Sequence, residues 1–283
     1  MESTATTGGV SEDQVADALD ADAELVVAGP NRDLVAVLEV IGLDRAARYL
    51  AEYFGLARRV SGNPEWADAG AYTGAYFGTV AEDGAHPNQL TAGDLIAVSM
   101  LSVTVPAGTA RRLLMDPPAA IARVLAAHPV GLSMESADED VFSEGSSLQE
   151  LWNAVRYRDS AKTKWGIGPT TASKILARKR PALIPIQDSV VNRLLNVSDR
   201  DTWTYWWAAL HQPGPDGAPG ENPAVAFAAK AREGALSMNS LSGERDALAN
   251  LSTLRTLDVI LWMYGFHDST GPGEVEDPDG PQA

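Results

Sequence analysis

Apolar residues recur at helical spacing along most of the chain. Leu34, Val37, Leu38 and Ile41 fall on one face of a helix, and Gly42 divides that segment into two helices. About ten segments of this kind occur and strand-like alternation is almost absent, so the pattern predicts an all-α fold. The predicted helices lie within residues 33–55, 91–101, 109–116, 118–129, 147–158, 169–178, 189–195, 199–212, 224–235 and 251–265.

Several residues predict where these helices begin and end. Thr91 and Asp94 have the spacing of a capping box, with Asp in place of the usual Glu. Asn31 is a candidate N-cap, and Gly265 is placed to end the last helix. The stretch Tyr72–Val80 has no clear helical period and is predicted to form a short β-hairpin.

The helices are predicted to form a two-lobed protein between polar ends. The longest apolar run, 11 residues from Leu95 to Val105, is shorter than the roughly 20 residues that a membrane-spanning helix needs. No basic and apolar leader follows Met1, so we expect a cytoplasmic protein without a membrane partner. The predicted parts are a flexible acidic arm (1–28), a helical bundle (29–90 plus 199–268), a helical subdomain (91–198) and a disordered acidic tail (269–283).

The composition excludes several kinds of site. The 283 residues include no cysteine, which excludes disulfides, thiolate metal sites and a thiol nucleophile. The four histidines are scattered without metal-ligand spacing. No phosphate-binding loop, dinucleotide fingerprint or serine-hydrolase elbow is present. We therefore expect no metal and no cofactor.

Charge is distributed unevenly along this acidic chain. The net charge is −16, yet residues 151–200 contain ten lysines and arginines and only three aspartates. One interpretation is a basic surface that binds nucleic acid. The other is that these cations neutralise acidic neighbours inside the fold. The sequence leaves both interpretations open.

The sequence Gly166-Ile167-Gly168, followed by Pro169, predicts a tight turn in a helix–hairpin–helix that spans about residues 148–178. Glycines permit positive φ angles and let an outside group approach the backbone. The first amides of the second helix attract anions such as a DNA phosphate. An ordinary αα-hairpin, whose glycines only allow tight packing, is the alternative. The candidate DNA contacts are Gly166, Gly168, Thr170, Thr171, Lys164 and Lys174.

A longer combination of residues surrounds this turn. It comprises Gly166-Ile167-Gly168, Thr171-Ala172, Ile175-Leu176, Pro181, Pro185, Ile186-Gln187-Asp188-Ser189-Val190 and Arg193. The combination resembles the helix–hairpin–helix base-excision DNA glycosylase superfamily, in which a glycine-flanked turn, an apolar helix, a proline-containing loop and an aspartate follow one another. The resemblance covers about residues 160–195. Over the rest of its length we expect the chain to belong to an uncharacterised bacterial family.

The resemblance implies that the partner is double-stranded DNA and that a target nucleotide is flipped into a cleft between helical lobes. It assigns the catalytic role to Asp188, whose carboxylate would stabilise a cationic sugar and position water. The residues also suggest a second role. Asp188 precedes the apolar pattern of Val190, Val191 and Leu194, and aspartate is a good N-cap. The two roles are compatible in one residue.

Departures from the family pattern bear on the reaction. Thr170 occupies the position of the family's Schiff-base lysine, so lyase activity is not expected. Met100–Pro106 is the nearest counterpart of the segment that fills the gap left by a flipped base, and it lacks the family's glutamines. We expect a DNA-binding helix–hairpin–helix protein, either a monofunctional, hydrolytic DNA glycosylase or a catalytically degenerate relative. A non-enzymatic protein-interaction module on the same scaffold is the alternative.

Overall fold

A computed structural model of the chain describes residues 29–60, 70–82, 84–157, 163, 165–214, 222–238 and 241–267. Within these ranges the regular structure is entirely helical, which confirms the all-α prediction. The predicted arm over 1–28 and the predicted tail over 269–283 lie outside them. The α-helices are α1 Leu34–Ile41, α2 Leu43–Tyr53, α3 Ala92–Ser99, α4 Ala107–Met115, α5 Ala119–Ala127, α6 Ser147–Arg156, α7 Pro169–Lys179, α8 Ser189–Leu195, α9 Thr202–Leu210, α10 Pro223–Ser237, α11 Arg245–Ala249 and α12 Thr253–His267, and 3-10 helices span Thr73–Tyr76, Met134–Ser136 and Glu139–Phe142.

Side-chain caps fix where several helices begin. Thr91 and Asp94 form the predicted capping box at α3, in which the Asp94 carboxylate accepts the Thr91 N–H at 2.8 Å. At α1 the cap is Asp33, whose carboxylate accepts the N–H of Ala36 at 2.9 Å. The prediction of an N-cap at Asn31 is therefore wrong. The carboxylate directly before the first apolar residue takes that place.

Two other sequence-based predictions are corrected by packing. The β-hairpin predicted over Tyr72–Val80 is instead a 3-10 helix followed by hydrogen-bonded turns, because Tyr72 and Ala75 are buried three residues apart, as a helical turn allows. Helix α12 does not end at Gly265 but continues to His267. A Cβ on Gly265 would lie 2.7 Å from Val190 Cγ1, so this glycine permits the close approach of α12 and α8.

The helices pack in two groups around one continuous core. Helix α2 packs against α10 and α12, whereas α7 packs against α3 and α6, and α5 packs on α6. Helix α8 of the predicted subdomain contacts α12, while α9 contacts the two 3-10 helices between residues 134 and 142. Helices of the predicted subdomain and of the predicted bundle therefore contact each other at two places. Among the described residues, none of the helices combines the length and apolar character needed to span a bilayer.

Candidate functional site at the start of α7 and α8

The predicted turn lies in the connector between α6 and α7. This connector runs from residue 157 to residue 168, and residues 158–162 and 164 of it lie outside the described part. Gly166 has a φ of +79°, which requires a glycine-like conformation. Gly168 has a φ of −86° and is the N-cap of α7. Positive φ is therefore needed at only one of the two glycines.

The bend packs against the beginning of α4. Gly166 is half-buried, and a Cβ added to it would lie 3.9 Å from Pro106 Cγ. Gly168 is buried, and the Thr109 hydroxyl donates a hydrogen bond to the carbonyl of Trp165. The beginning of α4 therefore covers one side of the bend, and Gly166 remains partly exposed to solvent.

The other candidate DNA contacts differ in accessibility. Helix α7 has no side-chain cap, and Pro169 at its first position has no N–H. The next amides therefore have neither a side-chain nor an intrahelical acceptor. Thr170 is half-buried, whereas Thr171 is buried. Lys164 lies outside the described residues, and the side chain of Lys174 points into the protein.

Lys174 connects α7 with two other segments. Its buried ammonium donates to the Leu101 carbonyl at 2.9 Å and lies 3.7 Å from Oδ2 of Asp188. Asp188 is the N-cap of α8 and accepts the Val190 N–H at 2.9 Å, which confirms its predicted capping role. Its side chain is 18% exposed, so the carboxylate is held from two sides and still reaches solvent.

The cations at the end of α7 stabilise the fold from inside. Arg178 donates to two carbonyls of the 70–82 segment and lies 3.6 Å from Asp94. Lys179 lies 2.6 Å from the same carboxylate, and Arg180 has no exposed surface. For these residues the structure supports the intramolecular interpretation of the basic segment. The exposed cations of that segment, among the described residues, are Arg193 and Arg200.

Another buried charge pair lies in the first turns of α12, a largely apolar helix near the end of the chain. Arg255 pairs with Asp258 and donates to the Tyr53 hydroxyl at 2.8 Å and to the Gly74 carbonyl at 3.2 Å. Burial raises the pKa of Asp258 to about 6, which Arg255 opposes and Asp188 reinforces. The only sequence signal for this pair is two opposite charges three residues apart in an otherwise apolar helix.

The raised pKa of Asp258 predicts a pH-dependent effect of Asp258→Asn on stability. The unfolded state ionises this carboxyl near pH 3.8 and the folded state near pH 6, so the folded state binds more protons in between. The contribution of Asp258 is therefore favourable below the unfolded pKa and is lost as the pH rises through 6. Relative to the variant, wild type should lose about 2 kcal/mol of unfolding free energy between pH 4 and pH 7.

Urea unfolding of both proteins across this pH range measures the difference. Asp246→Asn at an exposed position serves as the control for the loss of one carboxylate. A wild-type-minus-variant difference that stays constant from pH 4 to pH 7 would contradict a raised pKa at Asp258.

A cavity of about 660 Å³ lies between α12, the end of α7 and the segment around Thr73–Tyr76. The Arg255–Asp258 pair forms part of its wall. Its apolar wall is formed by Phe54, Phe77, Ile184, Ile186 and Leu254. No group of three or more potential metal ligands occurs in the part of the chain that the structure describes.

The comparison with known proteins identifies a family but no characterised relative. Residues 46–265 match a family of unknown function, DUF6308. No curated protein and no solved structure matches the chain. The matched region runs from within α2 to within α12 and includes the start of α7, Asp188 and the Arg255–Asp258 pair. Because the match covers most of the 283 residues, the chain belongs to the DUF6308 family.

Proposed function

We propose that this protein binds double-stranded DNA with a face made of the bend at Gly166, the start of α7, the segment Met100–Pro106 and Asp188. The observation that carries the proposal is the position of Lys174, whose ammonium lies between the Leu101 carbonyl and the Asp188 carboxylate. Through Lys174, Asp188 is therefore connected to the segment Met100–Pro106, which resembles the family's gap-filling segment in position.

The segment Met100–Pro106 has features of a strained contact loop. Ser102 has a φ of +57°, which is uncommon outside glycine, and its side chain is exposed. Leu101, Val103 and Val105 are only half-buried on the same segment. Apolar side chains of this kind can be inserted between base steps as a duplex is opened. This segment is therefore the part of the face that would support an unstacked duplex.

The proposed reaction is hydrolytic removal of a base. Asp188 offers a carboxylate that is anchored by the Val190 amide and by Lys174 while it reaches solvent. A fixed carboxylate stabilises the positive charge that develops on the sugar as the bond to the base breaks. Thr170 supplies no amine for an imine intermediate at that position. Water then adds its oxygen to the sugar carbon as the bond to the base breaks, and a proton from the water passes to the departing base. The products are an abasic site and the free base.

Phosphate binding at the start of α7 is tested by Thr170→Glu. The new carboxylate would repel a phosphate there, and we expect the affinity for a short duplex to fall about tenfold, with a salt dependence weaker by about one phosphate contact. Because an acidic side chain is favourable in the first turn of a helix, the substitution should not destabilise the protein. Fluorescence anisotropy at several salt concentrations measures both quantities.

The matched control is Thr204→Glu at an exposed position on α9. It adds the same charge away from α7 and should leave the affinity within about twofold of wild type, since a distant exposed charge is screened by salt. Equal losses in the two variants would show general repulsion by an acidic protein and would remove the start of α7 from the interface.

A protein-interaction module is the second candidate. The observation that favours it is the internal use of Arg178, Lys179 and Arg180, which removes three cations from the surface of a chain with a net charge of −16. A failure of wild type to bind any duplex at physiological ionic strength would favour this function over DNA binding.

A further inference from the structure

The 660 Å³ cavity adjoins the C-terminal end of α7. Its wall includes Ala177, Arg178 and Lys179 at the C-terminal end of α7, whereas the bend at Gly166 adjoins the N-terminal end. Helix α7 has 11 residues and is therefore about 16 Å long. The cavity volume lies within the range of small-molecule sites. A ligand there would not compete directly with contacts at the start of α7.

The cations in the cavity wall are already engaged by the protein. Arg178 donates to the carbonyls of Phe77 and Val80, and Lys179 donates to the carbonyl of His86 and pairs with Asp94. Arg255 pairs with Asp258 and donates to the Tyr53 hydroxyl and the Gly74 carbonyl. Their hydrogen-bonding capacity is largely satisfied, which disfavours an anionic ligand.

Two carboxylates in the cavity wall are not paired with cations of the described part of the protein. Glu82 and Asp246 are exposed and have no ion-pair partner among the described residues. Both line the cavity: Glu82 belongs to the segment that follows the 3-10 helix Thr73–Tyr76, and Asp246 belongs to α11, which contacts that 3-10 helix. The charged part of the exposed wall is therefore negative. Its accessible apolar part includes Val130, Ala247 and Leu251, with the buried side chains of Phe54, Ile184 and Leu254 behind it.

We propose that this cavity binds a small organic cation with a hydrophobic body, such as an aromatic amine. The apolar body lies against Val130, Ala247 and Leu251, and the ammonium group lies on the side of the cavity that carries Glu82 and Asp246. Burial of the apolar body supplies affinity, and the two carboxylates supply the preference for a positive charge. The site is separate from the proposed function and does not depend on DNA binding or on Asp188.

The charge preference is tested with two related probes, tryptamine and indole-3-propionate, in the absence of DNA. They share the indole ring and chain length and differ in the sign of the terminal charge. Isothermal titration calorimetry should show tryptamine binding at least about tenfold more tightly. Equal affinities, tighter binding of the propionate, or no binding of tryptamine at millimolar concentration would each overturn the proposal.

The location is tested with two pairs of variants. Glu82→Gln combined with Asp246→Asn should weaken tryptamine binding about fivefold or more, whereas Glu39→Gln combined with Asp44→Asn removes two exposed charges elsewhere and should have no effect. Ala247→Trp fills the cavity from its wall and should abolish binding, while Ala249→Trp, exposed on the same helix, should not. If tryptamine bound to the Glu82→Gln/Asp246→Asn variant or to Ala247→Trp with wild-type affinity, the amine would bind outside this cavity and the proposal would be wrong.

Discussion

Arg180→Met is expected to lower the free energy of unfolding by about 3–5 kcal/mol, because it removes one partner from a buried polar network. The Arg180 side chain has no exposed surface. Methionine has a similar length but no donor, so every acceptor around it would lose a hydrogen bond. The acceptors are the carbonyls of His128, Leu125, Pro87 and Lys179 and the side chain of Asn88.

The cost of this substitution arises because the hydrogen bonds to the carbonyls of Leu125, His128 and Lys179 are buried, so these three acceptors cannot turn to water. The carbonyls of Leu125 and His128 belong to the end of α5, and those of Pro87 and Lys179 belong to the 84–90 loop and the end of α7. Arg180 thus joins three elements with a single guanidinium. Urea denaturation measures the effect, and Arg200→Met at an exposed position should stay within about 0.5 kcal/mol of wild type. A loss below 1 kcal/mol for Arg180→Met would contradict the proposed network.

Local features of the fold were predictable because they depend on neighbouring residues. The capping box at Thr91 and Asp94, the break at Gly42 and the cap at Asp188 each follow from side chains within a few residues of one another. The N-cap of α1 was misplaced from Asp33 to Asn31 for a related reason: both residues can cap a helix. The local pattern identified the helix but did not distinguish Asn31 from Asp33, two residues further on.

The direction of the charged side chains was not predictable, because it depends on segments distant in sequence. Arg180 is surrounded by carbonyls from residues 87 and 125–128, and Arg255 by groups from Tyr53 and Gly74. A count of lysines and arginines contains no information on such contacts. In the candidate site, only locally determined features such as the cap at Asp188 could be predicted. Asp188 came from a local motif, whereas Lys174 was predicted to face DNA and instead faces Asp188.

Asp188→Asn is expected to reduce base release by at least about 100-fold with a loss of stability near 1 kcal/mol. Asparagine caps helices about as well as aspartate, so the bond to the Val190 amide can persist. In the proposed reaction the variant would lose the negative charge beside the sugar, and removal of a fixed electrostatic contribution of this kind costs about two to three orders of magnitude in rate. Some stability is lost because Lys174 no longer lies 3.7 Å from a charged partner.

The measurement is the formation of abasic sites in duplexes that contain deaminated, oxidised or alkylated bases. Asp33→Asn is the matched control, because it makes the same change at the N-cap of α1, and it should leave the rate unchanged. If both variants release base at the wild-type rate, Asp188 is only a cap. If wild type leaves every lesion intact, hydrolysis is excluded for those bases, while duplex binding through the start of α7 is judged separately by the Thr170→Glu comparison. DNA binding and base hydrolysis are therefore tested by different variants. The proposed phosphate contact depends on backbone amides, whereas the proposed reaction depends on one carboxylate.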